Sequence, residues 1–220
     1  MMIRVFYTEI ASDDTAETYL QLLRSYPQQV QERISRYHTE KERRLRITGK
    51  ALLVYALKEM GLYPGLSLEQ YALSDAQQPY LKGAGFSFSI SHSGNMAVCA
   101  VTSDGKVGVD IERVKPVKLE LMNFYFAPSS WQLIVAAPDS TMAFYEHWTA
   151  REAAIKASGL GIEQMELADI VTDEDGTVQL REETYYSRIL SLRYDYICCV
   201  ASDRDIDEVS LTDLNMTDLL

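Results

Sequence analysis

The sequence predicts an α+β fold made of two similar halves that meet at about residue 105. Three observations predict it. Hydrophobic periodicity runs strand, helices, strands in residues 1–105, and the same order returns in 106–220. The stretch "AVCAVTSD" at 97–104 is echoed by "YICCVASD" at 196–203, matching at Cys, Val, Ser and Asp, and each would be an antiparallel strand closing its block. The 220 residues are 47% hydrophobic and 24% charged, the make-up of a chain able to bury a sizeable core.

Residues 2–7 read as a strand. A helix near 14–24, capped by Asp and Thr, and a short helix near 28–37 follow. Thr39 and Glu42 have the spacing of a capping box and should start a longer helix. Leu52, Leu53, Ala56, Leu57 and Met60 give that helix its apolar stripe, and Gly61 stops it. On another face Arg43, Arg46 and Lys50 recur at helical spacing, each suited to a solvated face and together suited to holding phosphates. A loop rich in Ser, Asp, Gln and Pro leads to three strands, "FSFSIS", "MAVCAVT" and "VGVDIE". The second and third are joined by "SDGK", whose Asp-Gly signals a tight hairpin. Helices are expected over 118–136, interrupted by Pro128, and from about Thr141 to Ser158, ended by Gly159. Strands near 167–172, 177–181, 185–192 and 194–201 complete the pattern, with "DEDGT" as a turn. The last stretch, "DRDIDEVSLTDLNMTDLL", is acidic and reads as a solvated tail.

The first half, 1–105, thus carries a basic helix and an SHSG motif. The second, 106–220, carries a D-x-E strand, a long helix and the acidic tail. Net charge is −11, from 21 basic and 32 acidic residues, which argues against nucleic-acid binding because the phosphate backbone needs a basic surface. No apolar run is long enough for a bilayer, and "MMIRVFYTEI" lacks a secretory apolar core. Cys99, Cys198 and Cys199 lie in apolar strand-like runs, as buried thiols of a reducing compartment do. A cytoplasmic monomer without membrane or nucleic-acid partners is the expectation. The basic residues are uneven, with seven Lys or Arg against two Glu in residues 33–50, so a small anionic ligand has a place to bind.

Three stretches carry chemistry. In "KVGVDIERV", 106–114, Asp110 and Glu112 project from one strand face about 7 Å apart. Alone, such a pair is a solvated face, and if buried it needs a counter-cation or a proton. In "HWTAREAAIKASGLG", 147–161, Trp148, Glu152 and Lys156 share a helix face. A Glu four residues before a Lys is commonly an exposed pair, but Trp148 on the same stripe points to partial burial. In "FSISHSGN", 88–95, Ser91, His92, Ser93 and Gly94 crowd the end of an apolar strand. Position 91 is Ser where a nucleophile elbow needs Gly, and "SGLGIEQ" lacks the third glycine of a dinucleotide loop. Asp110, Glu112 and Glu152 together are three oxygen donors, a set that suits Mg²⁺ beside a phosphate and not zinc.

"FSISHSG", "VGVDIE" and "WTAREAAIKASGLG", in this order, resemble the three motifs of the 4′-phosphopantetheinyl transferases, of the longer kind that activates peptide and polyketide synthetases. The resemblance covers most of the chain. It implies a pseudo-dimer of two α/β halves, each with an antiparallel sheet and packed helices. It further implies transfer of the phosphopantetheine arm of coenzyme A to a serine of an acyl or peptidyl carrier protein, with Mg²⁺ in the cleft. On that resemblance Asp110, Glu112 and Glu152 would hold Mg²⁺. His92 and Ser91, with Arg43 or Arg46 of the basic helix, would contact coenzyme A. Lys156 would face the pyrophosphate, and Glu152, or a water it orients, would take the serine proton.

The sequence also departs from the family's pattern. Gln78, in "AQQPYL", stands where the family carries a coenzyme A lysine, and Ser130 stands where a further acidic residue is usual. Gln29 and Glu32, with Arg33 beside them, fall nearest the usual upstream lysine pair, and the helix arginine is Arg43, Arg44 or Arg46. Two other readings follow. One is a coenzyme A-binding module impaired in catalysis, motivated by Gln78 and Ser130. The other is a metal-dependent nuclease, against which the net charge and the E-x-x-x-K spacing both speak.

Overall fold

A computed structural model describes residues 1–11, 14–160 and 170–220. Strand β1 (Met2–Glu9) leads into α1 (Ala16–Ser25), whose N-cap Thr15 accepts a bond from the Thr18 N–H, and then into α2 (Gln28–Ser35). Helix α3 (Glu40–Glu59) starts on the expected capping box. The Thr39 hydroxyl takes the Glu42 N–H and the Glu42 carboxylate takes the Thr39 N–H, which together stabilise the helix by about 1 kcal/mol. Gly61, at φ +68, ends it.

The loop expected next contains a small two-stranded sheet, β2 (Tyr71–Leu73) with β3 (Pro79–Leu81). Strands β4 (Ser87–Ser93), β5 (Met96–Thr102) and β6 (Val107–Arg113) lie where the alternation put them. The hairpin expected between β5 and β6 does not form. β5 is already paired on both edges, with β1 and with β4, and offers β6 no free edge. The Asp-Gly turn instead sends the chain into a second sheet, and the Lys106 N–H bonds the Asp203 carboxylate there at 2.7 Å.

Pro128 starts a helix rather than interrupting one. It occupies the first turn of α4 (Pro128–Ala136), where its missing N–H costs nothing, and only single 3₁₀ turns precede it at Leu119–Leu121 and Asn123–Tyr125. Helix α5 (Ser140–Ser158) is capped by Asp139 and ended by Gly159 at φ +79. Then come β7 (Ile170–Thr172), β8 (Val178–Leu180), β9 (Glu183–Leu190) and β10 (Tyr196–Ser202). Residues 167–169 of the expected strand lie outside the described residues.

The acidic C-terminus is not a solvated tail. It forms β11 (Glu208–Asp213), which pairs in parallel with β1, and Leu214, Met216 and Leu219 are buried in the first core. Within β11 every residue is exposed or half-buried, Glu208 and Asp213 among the exposed ones, and burial begins just past its end at Leu214.

The result is a mixed α+β architecture with strand orders β11-β1-β5-β4 and β6-β10-β9-β8-β7. One core lies between α1–α3 and the first sheet, a second between the two sheets, and a third between the second sheet and α5. The echoing strands β5 and β10 are both interior strands, buried along their whole length. β4 and β6 are edge strands, and they lie side by side, linked by serine side chains rather than a backbone ladder. The Val107 N–H donates to Ser87 Oγ and the Arg113 N–H to Ser93 Oγ, each at 3.1 Å. That seam holds the candidate site.

Candidate active site

The seam is built by alternation. In β4 every second residue is serine, so Ser87, Ser89, Ser91 and Ser93 share one face, while Phe88, Ile90 and His92 share the other. Phe88 and Ile90 pack into the first core. In β6 Val107, Val109 and Ile111 enter the core between the sheets, which leaves Gly108, Asp110 and Glu112 toward α5.

Gly108 fixes how close α5 comes. A Cβ there would stand 1.9 Å from the Ala153 carbonyl oxygen and 2.6 Å from the Ala157 nitrogen, so the helix backbone rests directly on the strand. The alanines of "AREAAIKA" keep that face of α5 thin. On the other side of the seam Gly49 lets α3 approach Ile90 in the same way. Trp148 packs with Tyr125, Phe126 and Phe144, ring centroids 5.7–6.1 Å apart, which anchors the first half of α5.

With α5 so close, its polar stripe meets the carboxylates of β6. Asp110 is 5% exposed. Its Oδ1 accepts from Lys156 Nζ at 2.6 Å and from Ser91 Oγ at 2.8 Å, and Lys156 also donates to Ser91 Oγ and to the Val109 carbonyl. Lys156 therefore pairs with Asp110 rather than with Glu152 four residues before it. Asp110 Oδ2 and Glu152 Oε1 are both buried and find no hydrogen-bond partner among the described residues. Burial, and next the charge of Asp110, push Glu152 up to about 7. Glu112 accepts from Ser93 Oγ at 2.6 Å, and burial, with the charge of Asp110, pushes its pKa up from the ordinary glutamate value. The three carboxylates lie near enough for their charges to act on one another, but no group of three or more His, Cys, Asp or Glu among the described residues stands ready around a metal position.

The opposite face of β4 is cationic. His92 is half-buried, and burial, then the charge of Arg46, lowers it to about 4, so its ring is neutral at pH 7. Arg46 is the helix arginine turned this way. Arg43 Nη1 instead donates to the carbonyls of Tyr37 and His38 in the loop between α2 and α3, and Arg44 pairs with Glu40. Lys50, one turn beyond Arg46, is buried rather than solvated.

Two of the departures are occupied in tying elements together. Gln78 Nε2 donates to the Ile155 and Leu160 carbonyls at the C-terminal end of α5, 3.2 and 3.0 Å away. Ser130 is 1% exposed, donates from Oγ to the Thr172 carbonyl and accepts from the Thr172 N–H, which fixes α4 to β7.

A model of the 4′-phosphopantetheinyl transferase superfamily matches residues 106–201, the span from β6 through α5 to β10. Over 178 residues the chain is 30% identical to 4′-phosphopantetheinyl transferase HetI of Nostoc sp. (strain PCC 7120), covering 77% of this chain and 74% of that protein. The chain belongs to the 4′-phosphopantetheinyl transferase family. It is also 32% identical over 149 residues to a 4′-phosphopantetheinyl transferase of Bacillus subtilis, covering 66% of this chain and 65% of that one. Among solved structures, holo-(acyl-carrier-protein) synthase of Thermotoga maritima aligns over 44% of this chain and 61% of its own, at 14% identity and a TM-score of 0.36. In this transferase the expected residues Ser91, Asp110, Glu112, Glu152 and Lys156 converge on one side of β4. His92 and Arg46 stand on the other side, and Arg43 faces away from both. The bond from Ser93 to Glu112, the burial of Lys50 and the tie made by Gln78 were not expected. The serine alternation of "FSFSISHS" is the signal that points to Ser93.

Proposed function

We propose that this transferase moves the 4′-phosphopantetheine arm of coenzyme A onto a serine of an acyl or peptidyl carrier protein, in a Mg²⁺-dependent reaction within a pseudo-dimeric arrangement of two α/β halves. The observation that carries the proposal is the junction of Lys156, Ser91 and Asp110 at the β4–β6 seam, with two buried carboxylate oxygens beside it that lack any donor. Oxygens in that state favour a hard cation, and Asp110, Glu112 and Glu152 are the residues that would hold Mg²⁺. When bound, the ion neutralises charge on the pyrophosphate.

The chain's own groups account for the rest. Lys156, anchored by Asp110 and Ser91, offers a fixed ammonium to the pyrophosphate and to the departing 3′,5′-ADP. Glu152 Oε1 has no partner and a proton affinity near neutrality, so it is suited to take the carrier serine's proton, directly or through a water. The serine oxygen forms a bond to the phosphorus bearing the pantetheine arm, the bridging P–O bond breaks, and its electrons leave with 3′,5′-ADP. His92, Ser91 and Arg46 would hold coenzyme A phosphates, His92 as a neutral donor. Arg43, bound to the Tyr37 and His38 carbonyls, is the weakest member of the set. The net charge of −11 speaks against nucleic acid and an anionic membrane surface as partners, and for anionic coenzyme A and an acidic carrier protein the local basic residues must offset it. No helix among the described residues is long and apolar enough to cross a membrane. A cytoplasmic monomer is part of the same proposal.

Incubated with coenzyme A and Mg²⁺, the protein should add about 340 Da, the mass of the arm, to an apo carrier protein. Asp110→Ala should abolish the shift. No mass change over several carrier proteins, or full activity of Asp110→Ala, overturns the proposal.

A further inference from the structure

The last carbonyls of a helix have no partner further along it, and at the end of α5 side chains supply some. Ser158 Oγ donates to the Ile155 carbonyl at 2.8 Å. Gln78 Nε2 donates to that same carbonyl at 3.2 Å and to the Leu160 carbonyl at 3.0 Å. One amide from the far side of the β4–β6 seam thus bridges the last turn of α5 and the residue just past its Gly159 stop.

The connection between β2 and β3 is built to aim that amide. The Ser74 N–H donates to the Gln78 carbonyl and the Gln77 N–H to the Ser74 carbonyl, both at 2.9 Å, while Ser74 Oγ accepts from the Gln78 N–H at 3.2 Å. Gln77 stands at φ 59, a left-handed conformation that residues other than glycine seldom adopt, and the ring of Pro79 fixes the backbone on the other side of Gln78. A cavity of about 330 Å³, bordered by Gln78, Leu81, Phe88, Val107, Lys156 and Gly159, lies between this hairpin and α5. Among the described residues no other hydrogen bond runs from the hairpin to that helix, so the Gln78 amide is the polar link across the gap.

Lys156 is the residue after Ile155. Its Nζ meets Asp110 Oδ1, Ser91 Oγ and the Val109 carbonyl at 2.6–3.1 Å, an arrangement that fixes where its Cα must stand. The contact at Gly108 sets how near α5 comes to β6, yet a helix resting on glycine and alanine is still free to slide or turn on the strand. Gln78 removes that freedom at the turn that carries Lys156.

We propose that Gln78 is a positioning residue for Lys156: held out by the β2–β3 hairpin, its amide grips the last turn of α5, and the transfer step depends on that grip. The inference rests on the reading of this site as the one that transfers phosphopantetheine. It gives the residue at the place of the family's coenzyme A lysine a different task, since the amide's donors are turned to α5. Gln78 acts through Lys156, so its loss falls on turnover and not on coenzyme A affinity.

The test measures steady-state transfer from coenzyme A to an apo carrier protein by wild type, Gln78→Met, Gln78→Glu, Lys156→Met and the double variant of Gln78→Met with Lys156→Met, with urea unfolding of each. Met keeps the length of Gln and removes its donors, and Glu keeps the shape and turns acceptors toward the two carbonyls. Gln78→Met should lower kcat by about 10-fold with the KM for coenzyme A within about 2-fold, and Gln78→Glu should lower kcat at least as much. In the Lys156→Met background Gln78→Met should lower kcat by less than about 2-fold, because the group it positions is already gone. Equal losses in both backgrounds, a loss confined to KM, or Gln78 variants that fail to fold overturn the inference. If wild type moves no arm onto any apo carrier protein, the function proposed above falls and this inference falls with it. If wild type is active and both Gln78 variants match it, the role of Gln78 alone is refuted.

Discussion

Gly108→Ala tests the geometry of the site without touching a single polar group in it. The added methyl would stand 1.9 Å from the Ala153 carbonyl oxygen, where ordinary contact begins at 3.4 Å, so about 1.5 Å of separation must be found between β6 and α5. Neither side yields readily. β6 is held by β10 along its length, and α5 is pinned by Trp148 at one end and by Gln78 at the other. Overpacking of this kind costs about 1–3 kcal/mol, and the obstacle here is backbone on both sides, which puts the cost at the upper end. The Lys156–Asp110 bond, now 2.6 Å, would lengthen as the helix lifts. A displacement of about 1 Å in a positioning element lowers turnover by about 100-fold, so the loss in kcat should exceed any change in the KM for coenzyme A. Urea unfolding reads the first effect and steady-state transfer to an apo carrier protein reads the second. Gly85→Ala is the control, since a Cβ there meets nothing within 4 Å and should change neither. A Gly108→Ala protein with wild-type stability and wild-type kcat would refute the claim that close contact at Gly108 places Glu152 and Lys156.

Lys156→Met should leave Asp110 buried without its cation. Stability to urea should fall by about 2–3 kcal/mol, less than for a fully buried pair because Lys156 is partly exposed, and transfer should fall by about 100-fold. Ser130→Ala removes both bonds to Thr172 and should cost about 1–3 kcal/mol by urea unfolding while leaving kcat within about 2-fold, as befits a tie between α4 and β7. His92 is held at about 4 in the folded state against 6.5 unfolded, so the unfolded chain binds the extra proton first. Its contribution is present above pH 6.5 and is lost as pH falls toward 4, by about 3 kcal/mol over that window. His92→Gln should therefore flatten the stability profile between pH 6.5 and 4, and an unchanged slope would contradict the neutral, buried ring.

Much of this was legible in the chain. Thr39 with Glu42, Gly61 and Gly159 gave the ends of α3 and α5, because caps are local chemistry that tertiary packing rarely overrides. The ligand-bearing stretches were legible because the residue types are odd for their settings. Two carboxylates on a strand, or a Glu and a Lys beside a Trp, ask for partners. What the sequence did not disclose depends on pairing between distant elements. The Asp-Gly at 104–105 signals a reversal, but whether the chain pairs back on β5 depends on β1 having taken the other edge. The acidic C-terminus contains the alternation of a strand, and its place beside β1 is a contact across two hundred residues. Lys50 reads as solvated because helix spacing assigns it to a polar face, and only the approach of β2 and β4 buries that face. Gln78 was legible as a departure, while its bonds to the end of α5 were not.

The organisation of the seam follows from β4 more than from either helix. A strand presents successive side chains to opposite faces, and "SISHS" uses that rule to separate two electrostatic environments within one strand's thickness. On the serine face short hydroxyls donate to Asp110 and Glu112, which keeps the carboxylates anchored without neutralising them. On the other face the single His92 meets Arg46 and Lys50, and burial among cations keeps it neutral. Among the described residues neither side is balanced, since Asp110 Oδ2 and Glu152 Oε1 lack donors while Arg46 and Lys50 form no ion pair. Moving charge directly across to relieve both is prevented by β4 itself. A ligand that brings phosphate to both faces and a divalent cation to one relieves the imbalance, and a neutral ligand of the same size does not. On the proposed reading, the charge pattern of coenzyme A with its cation is the one these groups would complete.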